Sequence, residues 1–292
     1  MAKLLRADLR RYFSTVYFYV SAAAVVGLTV FNHIQNIGYL RSVRSEYGPT
    51  GFPLSLGNYA LFGTVLPVDA VFSIFCTAIF LLRELNGIAA IFKLTRGAAR
   101  RDVYISAASA CCCGAVVFRL VSILTESLLL VLTEPGIGLL YFSETGDCLL
   151  SLFCTITSAA AFTAAAVFLF FSLPRVNIYL LIISLLFACL LYYQSANRVV
   201  DALNEPEYVA ATELDGEADP ELLTKNPEYV AGLRRIAFIL FADAVPLGQD
   251  LQFAKEPVHP PERAAVFPFF NAATIVLFPA AGIFLFKRLD FH

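Results

Sequence analysis

The sequence predicts an all-helical integral membrane protein with six transmembrane helices, and three observations carry that prediction. Hydrophobic residues make up 59% of the 292 residues, charged residues only 15%, and mean hydropathy is +0.72. A soluble chain of this size could not bury so much apolar surface, so lipid must solvate most of it. The apolar residues fall into runs of span length, about 16–34, 60–82, 104–132, 147–171, 177–193 and 266–286. Lys and Arg gather on one side of those runs: twelve lie beside the termini and the even-numbered turns, against Arg41 and Arg44 on the short opposite loops. Both termini are therefore expected in the cytoplasm.

In chain order, "MAKLLRADLRRYFS" places Leu4, Leu5, Leu9, Tyr12 and Phe13 on one helical face and Lys3, Arg6, Arg10 and Arg11 on the other. That pattern predicts an amphipathic helix lying along the inner leaflet. A signal peptide is the competing reading, but the run from Val16 to Ile34 is span-length and no convincing cleavage site follows it. Gly38, Gly48, Pro49, Gly51 and Pro53 then predict an irregular external loop before the second span.

Between the second and third spans, Leu82 to Ser106 reads "LRELNGIAAIFKLTRGAARRDVYIS". Ile88, Ile91, Phe92 and Leu94 recur at near-helical spacing, and Gly97 supplies a stop. Arg100 and Arg101 re-anchor the chain at the headgroups. The stretch predicts a short helix held just outside the membrane and available for docking. The third span exceeds what a bilayer needs and is expected to tilt or project. A turn with Glu134, Pro135, Gly136 and Gly138 leads to the fourth span, and Pro174 and Arg175 mark the link to the fifth.

Residues 194–265 form an extracellular insertion with thirteen acidic and six basic residues. Its run "ELDGEADPE" lacks the liganding order of a calcium loop and reads as a solvated acidic loop. From Pro227, a suitable helix start, to Phe241 the stripe Val230, Leu233, Ala237, Leu240 and Phe241 predicts a helix packed on the outer span ends.

Charge inside the spans is costly and usually functional. Asp69 lies nine residues in from the outer start of span two, and Arg119 thirteen in from the outer end of span three. At 1.5 Å per residue their depths differ by about 6 Å, within reach of an arginine side chain. They are expected to pair in the interior, either as a structural ion pair or as part of a path or gate. Glu126, seven residues beyond Arg119, is expected to reach water near the outer edge. His33 and His259 read as lone surface or interfacial histidines. No ligand spacing predicts a metal site, and no set of residues predicts a catalytic one. Six of the seven cysteines fall inside apolar runs as small packing residues. No basic tract suggests nucleic acid.

Four stretches together resemble the membrane subunits of ABC-2 type transporters. "RELNGIAAIFKLTRGAARRDVYIS" is similar to that family's inner segment, in which a Glu ending the second span precedes a coupling helix and a Gly-x-x-Arg turn; Glu84, Gly97 and Arg100 match it. The amphipathic start resembles the family's connecting helix. "LNEPEY" and "NPEYVAGLRRIAFILFADAVPLGQDLQ" resemble the segment before the last span in a Firmicutes-type branch, and "GIFLFKRLD" resembles the family's ending. The coupling stretch "IAAIFKL" departs from the pattern, because relatives often carry more charge there.

The resemblance implies one ABC-2 type transmembrane domain over residues 1–292, in a bacterial plasma membrane. It would be an exporter subunit that dimerises with a second copy or a sister permease. A separate cytoplasmic ATPase would dock through Glu84, Asn86, Ile91, Phe92, Lys93, Arg96, Gly97, Arg100 and Arg101. The chain has no G-x-x-x-x-G-K-[ST] stretch to cradle phosphates, so ATP and magnesium would bind the partner and none is expected here. The expected cargo class is amphiphilic: lipid, peptide or drug. A gradient-driven secondary transporter and a non-transporting interaction protein remain the alternatives at this point.

Overall fold

In lipid a single segment satisfies its backbone groups by coiling into a helix, and each long apolar run does so. The structure is a computed structural model that describes residues 1–47, 68–85, 88–133, 145–173, 177–212, 218–255 and 263–288. The helices are α1 (Ala2–Phe13), α2 (Val16–Tyr47), α3 (Val68–Leu85), α4 (Ile88–Thr95), α5 (Arg100–Thr133), α6 (Thr145–Ser172) and α7 (Ile178–Asn204). They are followed by α8 (Gly232–Asp243), α9 (Pro246–Lys255) and α10 (Phe267–Arg288).

Five described helices are long and apolar enough to cross a membrane: Val16–Gln35, Arg100–Thr133, Leu149–Ser172, Tyr179–Asn204 and Ala264–Phe286. The chain is built as a multi-pass membrane protein. The expected second span is not among the five. Its first residues, 60–67, lie outside the described ones, and the described part, α3, holds Asp69, Arg83 and Glu84 within 18 residues.

Several boundaries differ from expectation for one reason: helices do not stop where lipid stops. α2 runs through Gly38 to Tyr47, where an irregular loop was expected, and α7 continues eleven residues past 193. α5 begins at Arg100, so Arg100 and Arg101 form its first turn rather than a separate anchor. With 34 residues α5 is about 50 Å long, well beyond the roughly 30 Å hydrocarbon core.

The insertion is not all helical. β1 (Tyr208–Thr212) and β2 (Ala218–Lys225) form an antiparallel hairpin with an irregularity between Ala210 and Ala211. The second half of the acidic run, including Asp219 and Glu221, is strand rather than loop, while residues 213–217 lie outside the described ones. Pro227 sits in a turn, where the Asn226 side chain accepts from the Glu228 N–H at 2.9 Å, and α8 starts five residues later. The apolar stripe expected to pack on the span ends divides: Leu233 is 84% exposed and Leu240 51%, while Val230 is buried and the Phe241 ring lies 4.9 Å from that of Tyr192 near the expected end of the fifth span. α8 meets α7 through Phe238, Ile239 and Ala242.

α5 is the hub. Its N-terminal half carries Ser106, Ala107, Ala110, Cys111, Gly114 and Ala115, all buried, small residues that let neighbouring helices approach closely. Tyr12 of α1 lies against Gly114, where a β-carbon would overlap its ring, and Tyr104 lies in the same way against Gly282 of α10. Phe18 stacks on Phe118 with centroids 5.0 Å apart, which seats the start of α2 beside the middle of α5. α3, α6 and α10 complete the core through Ile74, Leu81, Phe170, Phe171 and Phe286.

Candidate functional site

Buried charges need partners, and following those partners locates two sites. The first lies where α1, α3, α4 and α5 meet. α4 is short because Gly97 turns the chain with φ +86°, while the Ala98 N–H donates back to the Lys93 carbonyl at 3.1 Å. This places Lys93 inward. Its Nζ donates to Glu84 Oε2 at 2.6 Å and to Asp8 Oδ1 at 2.7 Å. Arg11 Nη2 pairs with Glu84 and lies 3.2 Å from Asp8 Oδ1. Ser106 Oγ donates to Asp8 Oδ2 at 2.5 Å. Two carboxylates and two cations thus close a neutral ring. The Asp8 and Glu84 side chains are 0% and 6% exposed. α1 is therefore fastened to α5 by Asp8 and Tyr12, and does not rest on its apolar face alone.

The second site lies within the bundle. Arg119 Nε is 2.6 Å from Asp69 Oδ2, the expected pair, though not aligned as a hydrogen bond. Arg119 Nη2 donates to Asp250 Oδ2 at 2.7 Å, a partner that the sequence reading had placed in the external loop. Asp250 Oδ1 accepts from Ser158 of α6 at 3.0 Å. Two carboxylates share one guanidinium, so this buried cluster carries a formal charge of −1 when all three groups are ionised.

Asp250 gets there because α8 and α9 form a hairpin bent by 94°. The bend leaves helix-end groups without partners, and side chains of α9 supply them. Gln249 Nε2 donates to the Asp243 carbonyl at 2.6 Å and Gln252 Nε2 to Asp243 Oδ1 at 2.9 Å. Arg263 Nε donates to Asp243 Oδ2 at 2.9 Å, and Asn271 Nδ2 of α10 donates to Gln249 Oε1 at 2.9 Å. α9 thus turns its polar face into the bundle, where non-helical backbone is tolerated because protein surrounds it.

Towards the far end of α5 from α4, the structure corrects two expectations. His33 is not at a surface and Glu126 does not reach water: both residues are 2% exposed. His33 Nδ1 lies 2.8 Å from Glu126 Oε1.

Of the residues expected to couple to a partner, Glu84 and Lys93 are brought together as internal struts rather than presented for docking. Phe92 is 56% exposed, and Arg96 and Gly97 are exposed beside it. Arg100 is half-buried, and Arg101 is exposed with Asp102 at 3.5 Å. Asn86 lies outside the described residues, as does the side chain of Ile91. Asp8, Ser106, Asp250 and the His33–Glu126 contact were missed. Asp8 had a signal, as the one acid in a basic helix, four residues before Tyr12. Cys76, Cys111, Cys112, Cys113, Cys154 and Cys189 are free thiols, and the described residues contain no group of three or more metal-ligating side chains. Compared with known proteins, the chain matches no family model, no curated protein and no solved structure.

Proposed function

We propose that this chain is the permease subunit of an ATP-driven exporter of ABC-2 type, working as a dimer with a separate cytoplasmic ATPase seated on α4. The observation that supports it most is how α4 is held. Short links join it to α3 and α5, and Lys93 ties it to Glu84 of α3 and Asp8 of α1. A displacement of α4 would therefore carry α1, α3 and α5 together, the lever that an ATPase changing shape requires. Phe92 and Arg96 stay exposed on the outer side of that lever.

In this reading the spans are α2, α3, α5, α6, α7 and α10, with both termini and α4 cytoplasmic. The excess of Lys and Arg beside the termini and α4 supports that orientation. The α8–α9 hairpin would then enter the bundle from outside and fold back. The 27 Phe and 13 Tyr favour an amphiphilic cargo over an ion.

The test is purification from native membranes of the wild type and of Phe92→Ala and Arg96→Ala, which change exposed side chains of α4 and its end. An ATPase bound to the wild type and lost from the variants supports the reading. Its absence under conditions that preserve membrane complexes moves the assignment elsewhere. One observation favours a second reading, a gradient-driven transporter: the broken α8–α9 helix pair brings a surplus carboxylate to Arg119. Proteoliposome uptake driven by an ion gradient without ATP would select it.

A further inference from the structure

The α2–α5 interface contains a polar contact that neither reading of transport uses. The Thr133 hydroxyl donates to the Leu129 carbonyl at 2.8 Å, so its oxygen can only accept from His33 Nε2, 3.0 Å away. Nε2 therefore carries a proton. Nδ1 faces Glu126 Oε1 at 2.8 Å, with both side chains almost wholly buried. With no proton in that contact, an imidazole lone pair would face a buried carboxylate, which is repulsive. A second proton would have to sit on Glu126 Oε2, which has no hydrogen-bond partner. It would also leave an uncompensated buried cation. One proton, on Nδ1 or on Oε1, makes the contact attractive and the site neutral.

We propose that the His33–Glu126 contact is a proton-binding site that holds a single proton between the two side chains. That proton makes the contact between α2 and α5 attractive at this end of the bundle. One turn back along α2, Thr29 and Ser122 hydroxyls meet at 3.2 Å, which continues the polar seam. On the packed helices α3 and α5 the described charged groups towards this end are Asp69 and Arg119, while Arg83, Glu84, Arg100, Arg101 and Asp102 lie at the end where α4 joins them. Arg119 is seven residues before Glu126, about 10 Å along the axis, and already paired with Asp69 and Asp250. The described side chains of α6 and of α10 up to Phe286 include no charged group. The site stands whichever energy source drives the protein.

The test is nitrogen-15 magnetic resonance of histidine-labelled full-length chain in lipid nanodiscs at pH 7.5, where a free imidazole is mostly neutral. Only His33, His259 and His292 contribute, and the His33→Gln spectrum identifies the His33 signals. The expected result is a protonated Nε2 together with an Nδ1 that bears or shares a proton. In Glu126→Gln, the amide would donate to Nδ1 and leave it in the unprotonated acceptor position, so an Nδ1 signal that moves on substitution places the wild-type proton on Nδ1 and one that stays places it on Oε1. A wild-type Nδ1 that neither bears nor shares a proton overturns the proposal. Should that variant fail to fold, the wild-type spectrum decides.

Discussion

Replacing Lys93 by Met tests the ring that fastens α4 to the bundle. The Lys93 side chain is 11% exposed and its Nζ bridges Asp8 and Glu84, whose side chains are 0% and 6% exposed. Its loss leaves two buried carboxylates sharing Arg11, which is itself 43% exposed and partly screened by water. Removing one partner of a buried pair costs about 3–5 kcal/mol. Arg11 still opposes both carboxylates, which places the loss near the lower end, about 3 kcal/mol. In a chain of this size, 1 kcal/mol moves Tm by about 2–4 °C, so Lys93→Met should lower it by about 6–12 °C. Adding Asp8→Asn and Glu84→Gln removes the uncompensated charge and should restore most of that loss. The assay is heating in nanodiscs with a thiol-reactive fluorophore. It reports on Cys76 and Cys111, which are 5% and 0% exposed within the core that Tyr12 closes. A Lys93→Met Tm within about 1 °C of wild type, or a triple variant no better than the single one, would refute this reasoning.

Three further outcomes are expected. Gly114→Ala drives a methyl into the Tyr12 ring and should cost about 1–3 kcal/mol, read as Tm, with Tyr12→Leu recovering part of it. Arg119→Met strands Asp69 and Asp250 and should cost about 3–5 kcal/mol. Asp250→Asn leaves Arg119 facing Asp69 and should cost less, so equal losses in the same melt would count against the assigned geometry. Phe92→Ala with Arg96→Ala changes exposed groups only and should stay within about 0.5 kcal/mol of wild type in Tm. The same double variant should capture less ATPase from membranes.

Much of this architecture was legible because bilayer thickness imposes a length on every apolar run. The stop at Gly97 and the pairing of Asp69 with Arg119 followed from backbone freedom at glycine and from depth along two helices. What escaped was hidden by long-range context. "VPLGQDLQFAK" was assigned to the extracellular insertion, yet Gln249, Asp250 and Gln252 face the interior, because in lipid the polar face of a helix turns inward. Asp250 is also 131 positions from Arg119, and nothing local records that separation. Glu126 and Thr133 sit one heptad apart on one face of α5 and both meet His33, a contact missed because the sequence reading sent Glu126 to water and His33 to a surface. Leu233 and Leu240 of the stripe were misjudged because an apolar face does not say whether lipid or protein covers it. Helix ends at Tyr47 and Asn204 were missed because a drop in hydropathy marks the end of lipid rather than of the helix.

The central claim is that α4 presents a docking face to a nucleotide-hydrolysing partner, and crosslinking from position 92 tests it most directly. A photoreactive residue would replace Phe92 in the full-length chain in native membranes, with adducts identified by mass spectrometry. The expected result is an adduct to a protein carrying G-x-x-x-x-G-K-[ST], lost when the photoreactive group is moved to the buried Val103. Adducts from position 92 to lipid or to unrelated proteins alone, with no such ATPase among them, would contradict it.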